Sequence, residues 1–140
     1  MDTKRLGNLG ELKALAKFAE YSIPVYIPFG ENEKSDFIAE FNNKLNRIQV
    51  KSAEYIQDGK IQFGLRSTSV NTIGNKSHIY TNSEIDYFVL YCKENNELYI
   101  VNVNDAPNTE IWLRITQPIR LTKSVRMAND YLLDSFLQNL

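Results

Sequence analysis

Apolar positions near the start of the chain recur at helical spacing: Leu9, Leu12, Ala16 and Ala19, with Leu15 and Phe18 widening the stripe. The pattern predicts an amphipathic helix from about Lys4 to Tyr21, capped by Thr3, whose hydroxyl can accept from an early backbone N–H. Pro24 cannot continue that helix, and residues 23–29 read as a short strand with proline at its margins. After a polar turn at 30–34 the period changes. Residues 36–41 and 45–52 flank the turn Asn42-Asn43-Lys44, a hairpin by composition, because Asn tolerates the positive φ of tight turns. Further strands are predicted at 60–65, after Asp58-Gly59, and at 85–92 and 97–103, joined by the polar turn 93–96. Residues 66–82 are polar and aperiodic and predict a long loop, a feature more often functional than not. The run 111–115 is apolar but too short to assign. Apolar residues at 127, 128, 131, 132, 136 and 137 predict a terminal helix within 125–140. Helix, strands, loop, strands, helix is an α+β plan around a central sheet, and 1–140 is of a length for a single domain.

Composition is globular, with 43% apolar and 24% charged residues, so no segment needs to be read as disordered. Sixteen Lys and Arg stand against seventeen Asp and Glu. Any basic footprint for nucleic acid must therefore be local. The single cysteine, Cys92, excludes an internal disulfide and a cysteine-built zinc site, and it sits in an apolar run as a buried thiol. No stretch approaches the ~20 apolar residues that span a membrane, and the N-terminus has no apolar signal core. The expectation is a cytoplasmic protein with no membrane partner.

Side chains alternate along a strand, so Asp36, Ile38 and Glu40 share one face, and Arg47, Gln49 and Lys51 share one face of the partner strand. The hairpin can bring Asp36 beside Gln49 and Lys51, while Ile48 and Val50 turn to a core. Glu11 borders the apolar stripe of the first helix, and Gly7 and Gly10 leave the adjoining surface open to close approach. A carboxylate on that edge is costly to bury without a cation. This donor set suits phosphodiester hydrolysis, which needs a hydrated divalent ion. Mg²⁺, with Mn²⁺ as a substitute, takes one or two carboxylates plus waters and phosphate oxygens. Asp36 is the essential ligand; Glu11 binds directly or through water, and the Val50 carbonyl completes the set. Lys51 orients the attacking water or stabilises the negative transition state, and Gln49 offers an amide oxygen as ligand or positions a water. Without that chemistry, Asp36 and Lys51 are an ordinary cross-strand ion pair.

Gly10-Glu11 on the first helix, Ser35-Asp36-Phe37 opening a strand and Ile48-Gln49-Val50-Lys51 closing the hairpin together resemble the PD-(D/E)xK nuclease superfamily. The chain is most similar to the small homing endonucleases of group I introns, which pair a glutamine with the catalytic lysine. Pro28-Phe29-Gly30-Glu31-Asn32, residues 47–51 and Ile85-Asp86-Tyr87-Phe88 carry that likeness. The resemblance implies a restriction-endonuclease-like core, a mixed central sheet flanked by helices in an α/β/α-like arrangement. It also implies Mg²⁺-dependent, site-specific double-strand cleavage of DNA by a homodimer or homotetramer acting at the nucleoid. Ser35 replaces the motif's proline, and Gln49 replaces its acidic residue, which shifts metal binding onto Asp36 and Glu11.

Residues 66–82 are the candidate DNA-reading loop. Lys60, Gln62, Arg66, Asn75, Lys76 and His78 are the candidate DNA contacts, being side-chain types that reach base edges and phosphates. Glu40 is expected at the hairpin end, solvated or paired with Arg47. A Holliday-junction resolvase or restriction-like nuclease would use the same residues. Gln49 also invites a non-catalytic DNA-binding or assembly module on the same fold.

Overall fold

The computed structural model describes residues 1–30, 33–71, 74–120 and 122–140, with the side chains of 68–71 and 75 outside the description. Glu31 and Asn32, within the family-like phrase above, therefore lie outside the described residues, as does the side chain of Asn75.

Helix α1 spans Thr3–Glu20. Its N-cap is Asp2 rather than Thr3, with the carboxylate accepting from the Arg5 N–H at 2.9 Å. Its buried stripe is Leu6, Gly10, Ala14 and Phe18, one residue in four, whereas Leu12 is exposed. Of the expected stripe, Phe18 is buried and Leu9 and Leu15 pack at its margin, whereas Ala16 and Ala19 are exposed with Leu12. Gly10 and Ala14 add little hydropathy, yet their small size lets the helix lie close on the sheet. A Cβ at Gly10 would collide with Ser52 Oγ and crowd the Cβ atoms of Ser52 and Tyr91.

Five strands form the central sheet: β1 (Val25–Tyr26), β2 (Phe37–Phe41), β3 (Lys44–Ala53), β7 (Tyr87–Cys92) and β8 (Glu97–Asn102), in the order β1-β2-β3-β7-β8. Only β3 and β7 run parallel, so the sheet is mixed. The strand expected over 23–29 shrinks to two residues. The β2–β3 hairpin closes on Asn42 and Asn43, at φ 55° and 58°. A two-residue turn with both central φ values positive matches the twist of the strands it joins. Two ribbons complete the fold: β4 (Lys60–Gly64) with β9 (Glu110–Arg114), and β5 (Ser67–Asn71) with β6 (Gly74–His78). The stretch 66–82, expected as an irregular loop, is thus mostly a paired ribbon. Its run of polar residues carries no apolar alternation to mark the strands, and Tyr80 beside it packs against Phe88 of the core.

Phe37, Ala39, Phe41, Ile48, Val50, Val89 and Ile100 meet α1 and the short helix α2 (Leu133–Gln138) on one side of the sheet. Phe88, Leu90, Cys92, Tyr99 and Val101 meet Ile61, Phe63, Ile111 and Leu113 of the β4–β9 ribbon on the other. The terminal segment is not one continuous helix. A 3₁₀ turn at Ala128–Tyr131 precedes α2, and Leu132 between them is extended and bridges to Tyr99 at the β8 edge. Cys92 is buried and free. Among the described residues no helix is long and apolar enough to cross a membrane.

Candidate active site

The register Phe37↔Ile48 and Ile38↔Arg47 sets Asp36 at the point where β2 begins, opposite Gln49. There the side chain takes over from the backbone ladder. The Asp36 N–H donates to Ile48 O at 2.7 Å, and Asp36 Oδ2 accepts from the Val50 N–H at 2.8 Å. A strand residue projects its N–H and C=O to the same edge, so the Val50 carbonyl faces the Asp36 side, where β2 no longer covers it. Alternation puts Ile48 and Val50 in the core, and Gln49 and Lys51, both half-buried, on the opposite face.

Asp36 lies within electrostatic reach of both Lys51 and Glu11. Burial pushes the Asp36 carboxyl above its usual range, although the Val50 hydrogen bond and the Lys51 charge pull against it. Glu11 is raised too, by burial first and then by the Asp36 charge. Lys51 is lowered by burial, with Asp36 opposing. Among the described residues neither carboxylate has a salt bridge, nor does Lys51. Lys51 Nζ instead donates to Arg66 O at 3.1 Å and stands 5.2 Å from the centroid of the Tyr80 ring. Two partly desolvated carboxylates that repel each other and lack a direct counter-ion are a site short of positive charge. That shortage fits a divalent cation. No group of three or more His, Cys, Asp or Glu side chains with metal spacing occurs among the described residues. The oxygens this arrangement offers, the Asp36 and Glu11 carboxylates with the Val50 carbonyl on the uncovered edge, are of a kind that suits Mg²⁺ better than zinc.

The candidate DNA contacts divide between the two ribbons. Lys60 and Gln62 lie on β4, where Lys60 Nζ sits 4.5 Å over the Trp112 ring and the Gln62 amide donates to Glu110. Arg66 is exposed between β4 and β5, and Lys76 is exposed on β6. His78 on β6 contacts Glu84 at 2.8 Å and packs edge-on to Tyr80. Glu40 accepts from the Tyr26 hydroxyl at 3.1 Å, not from Arg47. Arg47 binds Asp86 at 3.0 Å and the carbonyls of Asn82 and Ser83, fastening the turn that leads into β7. Tyr80 is the site residue that sequence reasoning missed. As one aromatic in a polar stretch it had no periodic partner to mark it.

A sequence model described as "PD-(D/E)XK endonuclease" matches residues 1–134, nearly the whole chain. The chain belongs to the PD-(D/E)XK endonuclease family. Its fold agrees: a solved structure titled as that of a bacterial homing endonuclease, I-Ssp6803I, superposes with a TM-score of 0.76. That match covers 99% of this chain and 95% of the other at 21% identity. No curated protein matches the chain. The PD-(D/E)XK fold is thus the mixed sheet with flanking helices described above, and the chemistry the family carries is endonucleolytic hydrolysis of phosphodiester bonds.

Proposed function

We propose that this PD-(D/E)XK endonuclease is a site-specific homing endodeoxyribonuclease that makes metal-dependent double-strand breaks in DNA. The observation that carries the reading is the juxtaposition of Asp36 with Glu11 and Lys51 around the point where β2 opens from β3. Similarity over the whole length to a protein titled a homing endonuclease supports the homing branch.

Asp36 and Glu11 would hold Mg²⁺, with Mn²⁺ as a substitute, and the Val50 carbonyl lies on the edge that can join them. The bound ion supplies charge neutralisation at phosphorus and a water of lowered pKa. Asp36, fixed by the Val50 N–H, presents its second oxygen without rotating. Gln49 keeps a neutral oxygen at the same face, as a ligand or to align a water. Lys51 offers its ammonium protons to the negative charge that builds on the phosphate oxygens during attack. Cutting both strands at one locus takes two such centres, which a homodimer or homotetramer provides by symmetry. Arg66, Lys76 and the ribbons around them would grip and read the duplex.

The test is cleavage of supercoiled and linear plasmid, and of duplexes selected from a random library by binding, with and without Mg²⁺. Asp36→Asn and Lys51→Ala should each lower cleavage by about 10³-fold or more while leaving binding within a few-fold. Selected duplexes that are bound but never cut by the wild type would instead support a non-catalytic module.

A further inference from the structure

We infer that Tyr80 is a positioning residue, whose ring face holds the Lys51 ammonium beside Asp36 but off its carboxylate. The inference rests on Lys51 acting in catalysis, as proposed above. A lysine side chain is long and flexible, and the charge that draws it here is the neighbouring Asp36. A direct pair of that kind would occupy the oxygen a metal ion needs. Instead, Lys51 Nζ is held from two other directions, by the Arg66 carbonyl at 3.1 Å and by the Tyr80 ring at 5.2 Å. The ring face attracts the cation electrostatically, and with only one ammonium proton given to a protein oxygen, Arg66 O, the group still has protons to offer a phosphate. Asp36 meanwhile uses one oxygen on the Val50 N–H and keeps the other free of lysine.

Tyr80 is itself fixed. It is half-buried and stands edge-on to Phe88 at 5.8 Å and to His78 at 5.5 Å. The ring thus belongs to the base of the β5–β6 ribbon, and its orientation is set by the sheet through Phe88.

Three variants and two readouts test this. Tyr80→Phe keeps the ring, Tyr80→Leu removes it, and Lys51→Met removes the cation. Single-turnover cleavage of a library-selected duplex in Mg²⁺ should be within about twofold of wild type for Tyr80→Phe. It should fall roughly 10- to 100-fold for Tyr80→Leu at saturating enzyme, with the Kd for DNA unchanged. The second readout needs no activity: acetylation of Lys51 by a limiting anhydride, followed by mass spectrometry on the folded protein. Tyr80→Leu should change its rate relative to the other lysines, and Tyr80→Phe should not. Equal Lys51 labelling in all three tyrosine forms overturns the inference, as does wild-type cutting by Tyr80→Leu when Lys51→Met is inactive. If Lys51→Met cuts like wild type, the catalytic reading of Lys51 fails instead, whatever Tyr80 does to labelling.

Discussion

Asp36 and Asp86 are both half-buried, yet folding moves their carboxyls in opposite directions. Asp36 is raised by burial, as is Glu11 beside it, while the Arg47 hydrogen bonds and charge hold Asp86 below the usual carboxylate range despite its own burial. A raised carboxyl means that the folded chain binds more protons than the unfolded chain above the ordinary carboxylate pKa. Stability contributed at that site therefore falls as pH rises through the window up to the folded pKa. A depressed carboxyl does the reverse, adding stability above the unfolded pKa that is lost as pH drops to the folded one. In metal-free buffer at pH 8, Asp36→Asn should melt at or a few degrees above wild type, and the gain should vanish near pH 4. Asp86→Asn should be destabilised by about 1–2 kcal/mol at pH 8, from lost charge-assisted bonds to Arg47, with the difference shrinking on acidification. Thermal melts across pH check both signs. An Asp36→Asn protein less stable than wild type at pH 8 would mean its carboxylate is a structural group, not one held at a cost.

Elements carry their own consequences. On α1, Gly7 and Gly10 are three residues apart and opposite in effect. An added Cβ at Gly7 meets nothing within 4 Å, so Gly7→Ala should stabilise the protein by about 0.5–1 kcal/mol through helix propensity alone. At Gly10 the same gain is offset by contact with Ser52 and Tyr91, and Gly10→Leu should cost roughly 3 kcal/mol because α1 must lift from β3 and β7. Urea titrations of the two variants measure these values. The elements also show what the sequence could express. The β2–β3 hairpin was legible because strict alternation and an Asn-Asn turn agree on one register. On α1 the expected stripe met the core at Leu9, Leu15 and Phe18, but the centre of the packing face was missed because Gly10 and Ala14 weigh little in hydropathy. Arg66 and Tyr80 lie fourteen residues apart in the chain, and no local pattern shows that Lys51 reaches both. Leu132 breaks the terminal helical pattern for a bridge to Tyr99, a tertiary contact with no local signature.

Over the whole molecule the charges nearly cancel, at −1, so DNA affinity must come from a face and not from bulk attraction. Arg66, whose carbonyl holds Lys51, and Lys76 on β6 are exposed, whereas Lys60 is drawn onto Trp112 on the other ribbon. Each of Arg66→Ala and Lys76→Ala should weaken binding to all duplexes and reduce the slope of log K against log[salt] by about 0.9 per subunit. Lys60→Ala should change the slope less. Binding measured by fluorescence anisotropy between 50 and 200 mM salt, a range in which such slopes are resolved, decides between the ribbons.

The two-residue Asn42-Asn43 turn has a bearing on how such a chain can change over generations. Its length fixes which residue of β3 faces which side, so losing or gaining one residue there would exchange Gln49 and Lys51 with Ile48 and Val50. A bulge can take up an added residue, but any change that slips the register would bury Gln49 and Lys51 and expose core side chains in a single step. A lineage carrying this hairpin therefore varies that face most readily by replacing side chains in place, and length is freer to change in segments outside the hairpin.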